Sequence, residues 1–342
     1  SIYNGHTDGI VITGKKTKIS FCSQPDSAVP EDKSLPTLIV YDSLDTRVHP
    51  GEEDNKKILY LEYAKIRMDG KLTEGGVRKS DVKNIEQTSR TNSGMHEPGQ
   101  LYVIETFRNK DHVLVRVTAE KKAFEVILAL LDTARYAYLS ITGENCEIHN
   151  IRVDSNAADA GTDEIPRIAE EISYIKDCPV GDIPNVQVDG PRGAVSEGVP
   201  IKNGFTFKFH SKSYPTARLV WHCPYVNIFV SADGSLKNAN ARDLFILRMD
   251  GESWEHNDRL ESEVQVVRKD DFVGWEEWKE RNRQGIDCTV TISREKNSII
   301  IETENMGLAL RSVVTARDNV NDLYAALTGD QCILTDIHVL RD

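Results

Sequence analysis

No stretch of this sequence is long and apolar enough to cross a bilayer as a helix. The longest apolar run, Val126 to Leu131, falls far short of the roughly 20 residues that such a span needs. Basic residues are in deficit too: Lys and Arg total 42 against 54 Asp and Glu, a formal net charge of −12. That balance argues against a nucleic-acid partner, which needs a basic surface, and against adhesion to an anionic membrane. Neutral ligands, cations and protein partners stay open. The sequence also lacks a Gly-x-Ser-x-Gly elbow, a Walker loop, a His-Glu-x-x-His pair and a dinucleotide fingerprint, so no familiar catalytic machinery is legible. Glu261 and Glu263 share a strand face, but a glycosidase carboxylate pair does not stand out from an acidic surface, and the solvated reading is favoured. The chain begins at Ser1 rather than Met and shows no signal-peptide pattern, which leaves a removed leader or neighbouring domain open.

What is present is a repeat. Tyr138-Leu-Ser-Ile-Thr-Gly-Glu-Asn-Cys146-Glu-Ile-His-Asn-Ile-Arg-Val153 is echoed by Tyr324-Ala-Ala-Leu-Thr-Gly-Asp-Gln-Cys332-Ile-Leu-Thr-Asp-Ile-His-Val339. Ile66-Arg-Met-Asp-Gly70 matches Leu247-Arg-Met-Asp-Gly251, and Val115 to Lys121 is set against Val290 to Lys296. Asp8-Gly-Ile-Val-Ile12 resembles Glu197-Gly-Val-Pro-Ile201. Four blocks in one order make two copies, with insertions where loops tolerate them. The expected division is residues 1-156 for the first copy, 157-194 for a linker and 195-342 for the second copy.

Within the copies the apolar residues alternate with period two, as in half-buried strands. Phe205, Phe207 and Phe209 alternate with Thr206 and Lys208, and Val113, Val115 and Val117 with Leu114, Arg116 and Thr118. Tyr324 to Leu327, a Thr-Gly-Asp turn and Cys332 to Val339 read as a closing hairpin. The expectation is an all-β chain of two tandem jelly-roll sandwiches. Two segments depart from it. Phe272 to Gln284 reads as a short helix with Asp270 or Asp271 as N-cap, Gly285 as stop, and Trp275 and Trp278 on one face. Its counterpart is placed after Gly99, in Gln100 to Lys110. Asp163 to Lys176, with Ile165, Ile168, Ile172 and Ile175 at helical spacing, reads as a linker helix.

The six cysteines, Cys22, Cys146, Cys178, Cys223, Cys288 and Cys332, include no close Cys-x-x-Cys pair, which speaks against a zinc site. Cys146 and Cys332 hold the same place in separate copies, so buried core thiols are expected rather than a bridge. That usage leans towards a reducing, cytoplasmic compartment, with secretion left open.

All four tryptophans, Trp221, Trp254, Trp275 and Trp278, fall in the second copy. Aromatic faces stack on the apolar face of sugar rings while Asp, His and Arg meet the hydroxyls. Trp254 follows Arg248 and Asp250 in a polar loop, and His222 and Tyr225 flank Trp221; an exposed Trp there suggests a ligand. His222, Tyr225, Arg248, Asp250 and Trp254 are therefore the candidate binding set, weighed against an Arg–Asp pair that merely closes a turn. No cofactor is implied; a structural calcium near Asp233, Asp243 or Asp250 stays possible in principle, without EF-hand spacing.

Phe205-Thr-Phe-Lys-Phe209, Trp221 to Phe229, Leu247-Arg-Met-Asp-Gly-Glu-Ser-Trp254, the tryptophan helix and Leu327-Thr-Gly-Asp-Gln-Cys332 give the second copy its family likeness. It resembles the concanavalin A-like lectin/glucanase sandwiches appended to bacterial carbohydrate-active or signalling proteins. The first copy, without tryptophans, resembles them more weakly. The resemblance implies a non-catalytic pair of modules binding carbohydrate through the second sandwich. The alternative is a structural or regulatory protein-interaction or sensor domain of a bacterial signalling protein, and a glycoside hydrolase or lyase ranks last.

Overall fold

Alternation becomes strand almost everywhere. The computed structural model describes residues 5–49, 58–86, 99–120, 122–155, 165–217, 224–317 and 321–341, and the chain divides into two units, Ser1–Glu171 and Ile172–Asp342. The first unit contains β1 (Ile10–Val11), β2 (Thr17–Pro25), β3 (Pro36–Asp42), β4 (Leu61–Arg67), β5 (Leu72–Glu74), β6 (Val77–Ile85), β7 (Gln100–Asn109), β8 (His112–Ala119), β9 (Ala123–Leu130), β10 (Tyr138–Gly143) and β11 (Cys146–Asp154). The second contains β12 (Val186–Val188), β13 (Val199–Pro200), β14 (Gly204–Ser213), β15 (Pro224–Val230), β16 (Arg242–Arg248), β17 (Trp254–His256), β18 (Leu260–Arg268), helix α1 (Trp275–Gln284), β19 (Ile286–Glu295), β20 (Ser298–Asn305), β21 (Leu308–Ala316), β22 (Leu323–Gly329) and β23 (Cys332–Leu340).

Each unit has two antiparallel sheets in the same strand order. The first pairs β1-β10-β3-β4-β5 and β11-β2-β7-β8-β9-β6; the second repeats this as β13-β22-β15-β16-β17 and β23-β14-β19-β20-β21-β18. The second adds one strand, β12, on the free edge of β23. A core joins the two sheets of each unit, with Phe21, Leu38, Ile104 and Leu139 in the first and Phe207, Val226, Val290 and Leu327 in the second. This two-layer, all-β build is compatible with a β-sandwich. Alternation assigns the faces as expected: Phe205, Phe207 and Phe209 are buried, whereas Lys208 is exposed.

Several sequence expectations need correction. The closing hairpin is not one: β22 and β23 belong to different sheets, so the Thr-Gly-Asp turn carries the chain across the core. The block Val115 to Lys121 does not match Val290 to Lys296 in place. β8 is fourth in its sheet and β19 third, so the partner of β19 is β7; alternating Val and Thr fit any central strand equally well. Gln100 to Lys110, expected to match the helix, is therefore mostly strand. Helix α1 does stop at Gly285, but it starts after Gly274 without a side-chain cap. Asp270 and Asp271 lie in the turn before it, and Glu276 and Glu277 in the first turn favour the positive end of the helix dipole.

The linker helix is absent from described residues 165–176, because other groups take up the backbone. Ile165 packs on Phe107, Leu114 and Ile127, on the outer face of the first unit's larger sheet. Arg167 meets Asp111 at 2.9 Å, and the Ile168 amide donates to His112 Nε2 at 3.2 Å. Further on, Gln187 accepts from the Tyr174 amide and donates to the Ile172 carbonyl. Ile165 and Ile168 thus belong to the first unit, and Ile172 onward to the second.

Candidate functional site

The Arg-Met-Asp-Gly phrase forms the same turn in both units. Met68 and Met249 are buried. The Gly70 amide donates to the Arg67 carbonyl at 2.8 Å, and the Gly251 amide to the Arg248 carbonyl at 3.0 Å. Both glycines have positive φ, +86° and +74°, the region a β-carbon disfavours. Each Asp accepts from the amide two residues on, Asp69 from Lys71 at 3.0 Å and Asp250 from Glu252 at 2.9 Å. Each Arg reaches its Asp: Arg67 Nε to Asp69 at 3.0 Å, and Arg248 Nη2 to Asp250 at 2.5 Å. The Arg67 hydrogen bond holds the Asp69 carboxyl below its usual range. The bonding that closes the turn occupies both partners in both copies, as expected of structure.

The candidate set separates. Tyr225 and Arg248 are opposite each other in the β15–β16 register, with the guanidinium 5.8 Å from the ring centre. Arg248 also meets Glu252 at 2.8 Å, while Asp250 is buried. Trp254 pairs with Leu247 rather than with Arg248. Directly opposed residues in an antiparallel pair share a face, so Trp254 lies on the Leu247 side of this edge, 42% exposed. His222 and Trp221 lie outside the described residues. Trp275 and Trp278 do share a face, their rings 5.7 Å apart, and Trp278 is fully buried.

Among the described residues, two open depressions lie on the outer face of the second unit's larger sheet. One depression of about 380 Å³ is lined by Lys208, His210, Asp287, Thr289, Asp336 and His338. A second of about 290 Å³ shares Thr289 and extends along Thr291, Glu302, Glu304 and Arg311. Strand periodicity builds this face: Lys208 opposes both Thr289 and His338, His210 opposes Asp287, and Thr291 opposes Glu302. His210 Nδ1 lies 2.9 Å from Asp287, and His338 Nε2 lies 3.1 Å from Asp336. A β-carbon on Gly285 would come within 2.3 Å of His210 Nε2, so the glycine that ends α1 also makes room for the imidazole.

The equivalent face of the first unit is different. Registers equate Lys208, His210, Asp287, Thr289 and His338 with Ser20, Cys22, Leu101, Val103 and Arg152. Two imidazoles and a carboxylate give way to a thiol, a leucine and a guanidinium. None of these groove residues stood out in the sequence, where each is a lone polar residue on a strand. Comparing the copies position by position once the strands are matched would have revealed them.

The carboxylates considered for calcium are engaged separately: Asp233 with Ser231 and Ser235, Asp243 with Asn227, and Asp250 with Arg248. Among the described residues no group of three or more His, Cys, Asp or Glu is arranged to hold a metal ion, and no helix is long and apolar enough to cross a membrane. No protein-family model matches the chain, and no curated protein matches it.

Proposed function

We propose that this chain is a non-catalytic pair of concanavalin A-like jelly-roll modules, and that the second unit binds a carbohydrate along the outer face of its larger sheet. The observation that carries this reading is the pair of adjoining depressions that share Thr289. An elongated, hydroxyl-rich ligand fits their lining, because imidazole, carboxylate, hydroxyl and ammonium groups exchange hydrogen bonds with sugar hydroxyls. Expected affinity is modest, since among the described residues no tryptophan lines either depression. The first unit, with Leu101 and Val103 in equivalent places, serves as a structural partner.

Glycan-array screening of the whole chain, followed by calorimetry, tests the reading. The double variant His210→Ala/His338→Ala should weaken binding by about tenfold, as expected for loss of two hydrogen-bonding side chains. Trp254→Ala should leave it unchanged. Absence of any glycan binding, or loss through Trp254 alone, would refute the groove assignment; release of reducing sugar would refute the non-catalytic one.

A further inference from the structure

The two depressions on the second unit's larger sheet share one floor. Directly opposed residues of neighbouring antiparallel strands lie on the same face. The registers link His338, Lys208, Thr289, Glu304, Ala309 and Val267 into one row across β23, β14, β19, β20, β21 and β18. The depression at the β23 end takes His338, Lys208 and Thr289 from this row, and the other takes Thr289, Glu304, Ala309 and Val267. Flanking positions supply the sides, His210 and Asp287 along the first and Thr291, Glu302 and Arg311 along the second. The row crosses six strands, and five spacings of ~4.8 Å make roughly 24 Å.

Its two ends differ in chemistry. At the β23 end His338 stands between two carboxylates, with Asp336 3.1 Å from Nε2 and Asp182 3.6 Å from Nδ1. At the β18 end the floor is aliphatic, with Val267 43% exposed opposite Ala309. Charge along the way nearly cancels. His210 Nδ1 meets Asp287 at 2.9 Å, and Arg311 meets Glu302 at 3.4 Å. Over both linings, Lys208, Lys269 and Arg311 stand against Asp287, Asp336, Glu302 and Glu304, three cations to four carboxylates. No strong net field of either sign selects a charged ligand.

We infer that the ligand is an uncharged glycan chain about five units long, laid across the strands along this row and touching both ends at once. The inference rests on the carbohydrate reading above and sets the length and charge of what that site takes. A pyranose unit in an extended chain is about as long as one strand spacing, so about five units span the row. Hydroxyls at the β23 end exchange hydrogen bonds with Lys208 and His338. At the β18 end the apolar face of a ring lies on Val267 and Ala309, which removes aliphatic surface from water.

Cello-, xylo- and manno-oligosaccharides of two to six units, with oligogalacturonate and oligoglucosamine as anionic and cationic controls, are titrated into the whole chain by calorimetry. Affinity for a neutral series should rise by about tenfold or more from two to five units, the scale of one or two further contacts, and then level off. Val267→Asp and His338→Ala alter opposite ends at exposed positions and should leave the melting temperature unchanged. Each should weaken pentasaccharide binding by about five- to tenfold, whereas the disaccharide should respond to one of them at most. Equal affinity for two and five units, or a pentasaccharide sensitive to one end alone, overturns the length while the groove reading stands. Tighter binding of a charged control overturns the assignment of an uncharged chain in the same way. Pentasaccharide binding that survives both substitutions overturns the groove reading as well. Binding of none of the neutral series overturns the inference, and the glycan array then decides the groove reading by itself.

Discussion

Trp278 donates its indole N–H to Asn305 Oδ1 at 2.7 Å, and both side chains are shut away from solvent. Asn305 in turn donates to the Met249 carbonyl at 3.1 Å. One amide thus ties α1 to the Arg-Met-Asp-Gly turn. Trp278→Ala should destabilise the second unit by about 3–5 kcal/mol through the cavity it leaves. Trp278→Phe keeps much of the packing but leaves Asn305 Oδ1 without this donor, at a cost of about 1–3 kcal/mol. Urea unfolding followed by unit-specific probes checks both. Only the second unit's transition should move, and an unmoved transition would contradict the packing role.

Asp111 organises the first unit's clasp on residues 165–171. Its carboxylate is buried and meets Arg78, Arg167 and His112. Burial raises its pKa, but hydrogen bonds from His112 and Arg167 outweigh that and hold it well below the usual range. The folded value is depressed, so this stabilisation is complete above the unfolded value of about 3.9 and is lost as pH falls through the folded one. The wild-type first unit should lose stability below about pH 4, while Asp111→Asn should start lower and change less over the same range. Hydrogen exchange provides a second readout. The Ile168 amide bonds His112 Nε2 and should be protected in the wild type, but exchange rapidly in His112→Phe.

The legible part of this fold was its periodic part. Phe205, Phe207 and Phe209 show their buried face directly, because a strand's sides alternate strictly. The Arg-Met-Asp-Gly turns were also visible, because their bonding lies within five residues. What the sequence hid depends on distant partners. Helical spacing from Ile165 to Ile175 gave way to Asp111, His112 and Gln187, which claim the local backbone and side chains. Tyr324 to Val339 looked like a hairpin, because a turn between strands reads the same whether the chain pairs back or crosses to another sheet. His210 and His338 are 128 positions apart in numbering and become neighbours only through the β14–β23 register.

The turns offer a paired test of structure against binding. Gly251→Ala places a β-carbon at φ +74°, with Leu310 and Val266 side-chain atoms 2.9 Å away, and should cost the second unit about 1–3 kcal/mol. Arg248→Ala and Arg67→Ala should each cost their own unit about 1 kcal/mol, because these pairs are only partly buried. Trp254→Ala, at an exposed edge, should change stability by less than about 0.5 kcal/mol. Differential scanning calorimetry of the four variants separates these outcomes. A large loss from Trp254→Ala would show packing that its exposure does not suggest.

Thiol reactivity reports on the sheet edges directly. The attacking species is the thiolate, and burial pushes the Cys332 thiol up to about 12 and raises that of Cys288 well above normal. Both sit in the second unit's core. Cys146, equivalent to Cys332 but with no strand on its outer edge among the described residues, has its pKa raised by burial yet remains half-buried. Cys178 is partly exposed, while Cys22 is buried; Cys223 lies outside the described residues. With a disulfide reagent near pH 8, Cys178 and Cys146 should react before Cys288 and Cys332, whose labelling should follow unfolding of their unit. Mass spectrometry of quenched digests gives the order. Rapid labelling of Cys332 in the folded chain would mean that β12 opens readily and that the second unit's edge is less closed than its hydrogen bonds imply.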